Sequence, residues 1–179
     1  DTLIQGLTGH PFGSPDMIGG GEYTCFLNGN ENACTPEMFV RYAQIAALMP
    51  VMQFSASPWR VLPEADFQKV KDALALREKC LPEILKAVEN AKATGEPIAR
   101  SMEFVFPGQG MERVMDQFMV GDALLVAPVW KQGEVVRSVT LPEGQWRCVG
   151  LGETEGDVLN GGQDVVLGEN EGLVVLRRE

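Results

Sequence analysis

Residues 116–129 read DQFMVGDALLVAPV, and this stretch indicates how the second half of the chain folds. Two short β-rich runs lie on either side of Gly121 and Asp122. Similar runs recur at a spacing of roughly 8–12 residues, which is typical of an antiparallel sandwich or barrel. We therefore expect strands in seven segments: Met102 to Phe106, Gln117 to Val120, Ala123 to Trp130, Val135 to Leu141, Gln145 to Val149, Asp164 to Leu167 and Leu173 to Leu176.

The first half of the chain carries helix signals instead. Thr35 followed by Pro36 predicts a helix start, because a hydroxyl cap and an early proline both favour one. Apolar residues then recur at helical spacing, and we expect this stripe to face the core. The stripe consists of Met38, Tyr42, Ile45, Ala46 and Met49.

A second helix should begin at Pro63 and end at Gly95 and Pro97, with a kink at Pro82. Between the two helices, Val51 to Ser55 is a short apolar strand candidate. A segment that alternates helices with strands, followed by a run of strands, indicates two structural units. We place their boundary near Glu96.

The composition excludes several classes of protein. With 45% hydrophobic and 22% charged residues, the 179-residue chain has ordinary globular values. A net charge of −10 should repel phosphate backbones, so we expect no nucleic-acid partner. The apolar runs are far shorter than the roughly 20 residues of a membrane-spanning helix, so we expect no membrane partner. No glycine-rich phosphate-binding motif is present, and we expect no cofactor.

The cysteines and the single histidine give no sign of a metal site or a catalytic dyad. The four cysteines are scattered without a CxxC pair, and His10 is the only histidine. Cys25 and Cys34 could form a disulfide in an oxidising compartment. Free thiols, and with them the cytoplasm, are favoured because nothing else in the sequence is typical of a secreted protein.

A series of motifs runs through the chain in a set order: Pro15 to Gly20, Glu37 to Gln44, Met49 to Ser55, Arg77 to Pro82, Gly95 to Arg100, Asp116 to Asp122, Leu124 to Val129, and Gly144 to Trp146. In this order they resemble the C-terminal stretch of glycoside hydrolase family 31, the α-glucosidase and α-xylosidase family. The resemblance covers nearly the whole chain and weakens after about Val149. Met52 to Ser55, followed by Pro58 to Arg60, is most similar to the family's myogenesis-regulating glycosidase branch, associated with α-galactoside hydrolysis.

The resemblance implies a fold of the α/β plus all-β class. Residues 1–96 would be the C-terminal part of a (β/α)8 catalytic barrel, containing its last two β/α units. Residues 97–179 would be a C-terminal antiparallel β-sandwich domain. A whole barrel takes about 250 residues. We therefore expect the rest of the barrel, in the same polypeptide or another chain, to be a partner.

The resemblance also implies a retaining α-glycosidase, which hydrolyses terminal α-glycosidic bonds of an α-galactoside or α-glucoside. Such enzymes use two carboxyl groups about 5–5.5 Å apart. In the family, both belong to strands that precede Asp1. We therefore expect a carbohydrate substrate but no catalytic residue in this chain, which should be inactive alone.

Four residues are candidates for substrate binding: Asp16, Ser55, Trp59 and Arg60. Asp16 precedes three glycines, where its carboxylate could accept hydrogen bonds from sugar hydroxyls or, instead, cap the turn. Ser55 stands where most α-glucosidases of the family carry a histidine that contacts the sugar. Trp59 and Arg60 could line the same mouth, although Trp59 could equally fill a loop core.

Other residues fit structural roles. Glu37 and Arg41 have the spacing of an ordinary helix ion pair, and Asp116 and Asp122 should bind turn amides. Two further functions stay open. One is a non-catalytic carbohydrate-binding module, for which the second half offers only Trp130 and Trp146. The other is a structural fragment that completes a barrel.

Overall fold

A computed structural model describes residues 1–20, 34–150, 155–167 and 172–179. Cys25 lies outside the described residues, and with it the Cys25–Cys34 alternative. The helices are α1 (Thr2–Leu7), α2 (Pro36–Ala47), α3 (Pro58–Val61), α4 (Glu64–Thr94) and α5 (Met102–Val105). The strands are β1 (Ala99–Ser101), β2 (Phe118–Val120), β3 (Leu124–Pro128), β4 (Arg137–Leu141), β5 (Gln145–Cys148), β6 (Val158–Asn160), β7 (Gln163–Leu167) and β8 (Leu173–Arg178).

The ends of the two main helices follow local sequence signals. The Thr35 hydroxyl accepts a hydrogen bond from the amide of Met38 at 3.2 Å, which caps α2. α4 begins after Pro63 and ends at Gly95, whose φ of 78° is the left-handed conformation that glycine adopts most easily. The helix is 31 residues long and continues through Pro82, so the proline does not end it.

The buried face of α2 differs from the predicted apolar stripe. Phe39, Val40 and Ala43 are buried, whereas Met38 is 59% exposed. Tyr42 and Ile45 are half-buried. The prediction was wrong for Met38, which faces outward while Phe39 and Val40 pack against Ile18. Ala46 and Met49 of the predicted stripe are buried.

The second half of the chain is antiparallel, as predicted. Six strands form one sheet in the order β1-β2-β3-β8-β5-β6, and β4 pairs with β7 in a second sheet. Every pairing between these strands is antiparallel. The strands β1 and β6, of three residues each, had no predicted counterpart.

The large sheet is covered on both faces. One hydrophobic cluster joins it to α4, with Cys80 and Ile84 packing near Val120 and Val175. The other cluster lies between the two sheets and contains the fully buried Trp146. Since the same sheet contributes to both clusters, the helical and β-rich parts share a continuous interior.

Where a strand was predicted over Met102 to Phe106, Met102–Val105 forms the helix α5 and Phe106 is its C-cap. The Ser101 hydroxyl accepts a hydrogen bond from the amide of Phe104 at 3.4 Å and thereby caps α5. Met102 and Phe106, which an alternating strand would also bury, are buried here at helical spacing.

The two acidic residues around β2 do not bind turn amides as predicted. Asp122 forms an ion pair with the buried Arg100 at 2.6 Å. Asp116 forms one with Arg137 at 2.7 Å. Both carboxylates therefore hold side chains from distant strands.

Glu37 and Arg41 are 4.0 Å apart, as their spacing predicts, and both also contact the loop after β3. Glu37 accepts a hydrogen bond from the amide of Gly133 at 2.8 Å. Arg41 donates one to the carbonyl of Glu134 at 2.8 Å. These bonds attach the start of α2 to the β-rich part of the chain.

The predicted barrel strands are represented, in the part of the chain that the structure describes, by one parallel bridge between Ile18 and Phe54. The predicted boundary at Glu96 lies directly after α4 and Gly95. This bridge and the helices around it position the candidate site.

Candidate functional site

Asp16 begins a tight turn that ends at Gly20. Its Oδ1 accepts a hydrogen bond from the amide of Met17 at 2.8 Å, and the Gly20 amide donates to the Met17 carbonyl at 2.7 Å. Asp16 is exposed, so its carboxylate is accessible in spite of this bond. A carboxylate has about four acceptor positions, and a single amide leaves most of them open to a ligand.

Two glycines make this turn possible. Gly19 has a φ of 79°, and a Cβ there would stand 2.6 Å from the Phe39 ring. At Gly20 a Cβ would stand 2.7 Å from the Met17 carbonyl oxygen and 3.3 Å from Oδ2 of Asp16. A side chain at Gly19 would displace the Phe39 ring, and one at Gly20 would displace the Met17 carbonyl or the Asp16 carboxylate.

The parallel bridge brings Ser55 to the same turn. The carbonyl of Ile18 accepts hydrogen bonds from the Ser55 amide at 3.0 Å and from its hydroxyl at 2.9 Å. Because the bridge is parallel, Gly19 and Ser55 leave it in the same direction. Ser55 is thereby bonded to the turn that Asp16 begins, although 38 residues separate Asp16 and Ser55 in the chain. Asp16 itself lies two residues before the bridge.

Ser55 has a restricted role in this arrangement. Its single O–H is directed to the Ile18 carbonyl, so the hydroxyl oxygen is left as an acceptor for a ligand. A histidine at the same position would offer a ring nitrogen and a much larger volume.

Trp59 and Arg60 lie on the short helix α3, a few residues after Ser55. The Trp59 ring is 66% exposed and makes an edge contact with Phe67 of α4, with the ring centroids 6.4 Å apart. Arg60 is also exposed. Trp59 therefore does not fill a loop core, and its open face is available for stacking.

Tyr42 is a contact of the site that sequence reasoning missed. Its hydroxyl donates a hydrogen bond to the backbone carbonyl of Asp16. Burial, and secondarily the charge of Asp16, raise the pKa of Tyr42 above its usual value. The sequence placed Tyr42 in an apolar stripe, and the phenolic hydroxyl was the signal that it needed a polar partner.

Among the described residues, no three His, Cys, Asp or Glu side chains are grouped to hold a metal ion. Nor does any helix in these residues combine the length and apolar character needed to cross a membrane.

A cavity of about 330 Å³ lies between α2 and α4 near Arg41 and Lys69, but none of the four predicted site residues lines it.

Comparison with known proteins identifies the class to which this fold belongs. Residues 95–170 match the model of the glycosyl hydrolase family 31 C-terminal domain. The chain is 38% identical to the mouse myogenesis-regulating glycosidase over 148 residues, covering 81% of this chain and 21% of the relative. It is 31% identical to an α-glucosidase of Saccharolobus solfataricus over 184 residues, covering 98% of this chain and 25% of the relative.

The structural comparison extends over the whole chain. A family 31 α-xylosidase from a soil metagenome, solved with xylose, superposes with a TM-score of 0.83 at 27% identity. The superposition covers 99% of this chain and 29% of the xylosidase. The predicted resemblance to glycoside hydrolase family 31 is confirmed, with residues 95–170 matching the family's C-terminal domain. The chain spans about a fifth to a quarter of the length of these curated relatives.

Proposed function

We propose that this chain is the C-terminal portion of a retaining α-glycosidase of family 31. It would contribute part of the sugar pocket but neither the nucleophile nor the acid/base. The observation that supports this most directly is the superposition on the α-xylosidase, which covers 99% of the chain, including the segment before the family's C-terminal domain. In this proposal residues 1–96 are the end of the catalytic barrel and residues 97–179 the β-domain that follows it.

The proposed pocket residues are Asp16, Ser55, Trp59 and Arg60. Ser55 bonds the Ile18 carbonyl of the turn that Asp16 begins, where the parallel bridge ends, and ligands of a barrel bind at the carboxyl ends of its strands. An exposed carboxylate accepts hydrogen bonds from sugar hydroxyls, while an exposed indole stacks on the apolar face of a pyranose. The arrangement suits a terminal sugar and needs no cofactor.

We further propose that the sugar is an α-galactoside in preference to an α-glucoside. Ser55 replaces the histidine of most family α-glucosidases, and its O–H is already engaged by Ile18. The pocket would therefore lose a ring nitrogen and gain room on one side. A site built to hydrogen-bond one hydroxyl can reject a mismatched analogue by roughly 10⁴-fold or more.

The alternative of a non-catalytic carbohydrate-binding module has weaker support. Such a module needs a flat aromatic surface in the β-rich part. Trp146 is fully buried there and donates its indole N–H to the Pro142 carbonyl at 2.9 Å. Of the two tryptophans considered for this surface, only Trp130, 56% exposed, remains.

The experiment is a paired kinetic assay of the full polypeptide on nitrophenyl α-galactoside and α-glucoside. We expect a preference for the galactoside, which Ser55→His should reduce. A preference for the glucoside that Ser55→His leaves unchanged would refute the assignment of the sugar. The 179-residue chain alone should show no turnover, and measurable turnover would refute the assignment of both catalytic carboxylates to other segments.

Asp16 is tested in the same assay with two variants and a control. Asp16→Ala should lower kcat/KM by roughly ten- to a hundredfold, because a hydrogen bond to a charged group contributes about 1.5–3 kcal/mol. Asp16→Asn keeps an acceptor for the Met17 amide but removes the charge, so it should also lower kcat/KM while changing Tm little. The control is Asp72→Ala, which removes an exposed carboxylate on α4 that accepts only a local bond from Gln68. Normal kinetics with a lowered Tm for Asp16→Ala would make Asp16 a turn cap and not a ligand.

A further inference from the structure

Tyr42 connects helix α2 to the turn that carries Asp16. The helix is anchored beside the turn by the packing of Phe39 and Val40 near Ile18. From this position the Tyr42 hydroxyl donates to the backbone carbonyl of Asp16. A helix that packs against the turn thus also holds the first residue of that turn.

The three consecutive carbonyls of the turn each have a donor. Asp16 is bonded by Tyr42, Met17 by the amide of Gly20, and Ile18 by Ser55. The three donors come from different places in the fold: a helix side chain, the turn itself and the neighbouring strand segment. The peptide plane between Asp16 and Met17 is therefore fixed on its carbonyl side by Tyr42 and on its amide side by the Asp16 carboxylate.

This peptide plane determines where the carboxylate points. Oδ1 of Asp16 bonds the Met17 amide, and Oδ2 lies over Gly20. If the plane rotated, Oδ1 would have to follow the amide or lose its bond. The phenol is also a dependable donor, because burial and the nearby Asp16 charge both disfavour its ionised form and raise its pKa.

We propose that Tyr42 is a positioning residue, which orients the Asp16 carboxylate toward the sugar through the Asp16 backbone and does not itself touch the sugar. The inference rests on the proposed function, in which Asp16 binds a sugar hydroxyl. Placement errors of about 1 Å in a binding group can cost up to a hundredfold in rate. The loss of one neutral hydrogen bond is smaller, and corresponds to roughly two- to tenfold in kcat/KM.

The test is a double-mutant cycle in the full polypeptide with Tyr42→Phe, Asp16→Ala and the combined variant, measured as kcat/KM on the preferred nitrophenyl α-glycoside. We expect Tyr42→Phe to lower kcat/KM by roughly two- to tenfold. We expect the combined variant to be no worse than Asp16→Ala, because Tyr42 acts only through the Asp16 side chain. Effects that multiply would overturn the inference and leave the proposed role of Asp16 intact.

A matched control separates positioning from helix stability. Thr35→Ala removes another hydroxyl of the α2 segment, the one that caps the Met38 amide, and should lower Tm without changing kcat/KM. If Tyr42→Phe behaves like Thr35→Ala, its role is only structural and the inference is wrong. If Asp16→Ala itself has no kinetic effect, the proposed role of Asp16 fails and the inference fails with it.

Discussion

Gln117 joins the two sheets through its side-chain amide, which forms two hydrogen bonds with the backbone of Thr140. Its side-chain amide donates to the Thr140 carbonyl at 2.7 Å, and its Oε1 accepts from the Thr140 amide at 3.0 Å. Gln117 directly precedes β2 of the large sheet, and Thr140 belongs to β4 of the small one. With 2% of its surface exposed, Gln117 is one of the few buried polar residues. We predict that Gln117→Leu destabilises the chain by loosening the contact between the sheets.

The expected cost follows from these contacts. Gln117→Leu leaves two backbone groups of Thr140 without their partner, each worth about 1–3 kcal/mol when buried. Thr140 is half-buried, so water can replace part of the lost hydrogen bonding to its backbone. The leucine side chain also buries apolar surface, which offsets a further part of the cost. We expect a net loss of about 1.5–3 kcal/mol in the free energy of unfolding. For a chain of 179 residues this lowers Tm by about 4–10 °C.

Thermal and urea unfolding of the wild-type chain and the variant measure this directly. The matched control is Gln109→Leu, since the exposed Gln109 side chain also bonds a backbone amide, that of Glu143, at 3.0 Å. The control should cost about 0.5 kcal/mol or less, because surface substitutions of this kind are usually nearly neutral. Equal losses for the two variants would show that Gln117 does not couple the sheets.

A second variant at the same position, Gln117→Glu, should have a stability that depends on pH. In Gln117→Glu, the ionised carboxylate would face the Thr140 carbonyl, so burial and this contact should raise its pKa in the folded state. The folded variant then binds a proton more tightly than the unfolded chain does. Its deficit relative to wild type should be small below about pH 4 and should grow as pH rises above the unfolded pKa. A deficit that does not change with pH would contradict the burial of this side chain.

Two further predictions concern buried groups on either side of the large sheet. Arg100→Met removes hydrogen bonds to the Pro97 carbonyl at 2.8 Å and to Asp122 at 2.6 Å. Because Asp122 is largely exposed, we expect the free energy of unfolding to fall by only about 1–3 kcal/mol. Thermal unfolding measures this loss, and an unchanged Tm would contradict it. Cys80 is fully buried, and burial followed by the charge of Glu83 raises its pKa from 9.0 to about 11. The thiol should resist Ellman's reagent in the native chain, and the stability of wild type relative to Cys80→Ala should fall between about pH 9 and 11, because the unfolded thiol ionises first. Rapid labelling of Cys80 at pH 8 in native conditions would contradict its burial.

The features that sequence alone determined are those set within a few residues. The Thr35 cap, the start of α4 after Pro63 and its end at Gly95 depend on one side chain or one backbone conformation each. The antiparallel character of the second half follows from the spacing of its β-rich runs. The wrong strand prediction at Met102 to Phe106 has a local cause as well. Alternating apolar residues predicted a strand there, but the Ser101 side chain caps a helix.

The tertiary structure decided which faces and charges meet. Nothing within α2 indicates whether Met38 or Phe39 turns inward, because that depends on the segment around Ile18 lying beneath the helix. The pairing of Asp122 with Arg100 spans 22 residues in sequence.

The candidate site is divided in the same way. Asp16 and Ser55 could each be named from the sequence, but the bond of Ser55 to the turn that Asp16 begins depends on the bridge between Ile18 and Phe54. The contact from Tyr42 depends on where α2 packs. Caps and turns are short-range interactions that the local sequence specifies, whereas these contacts result from many weak packing interactions between distant segments, which only the complete fold brings together.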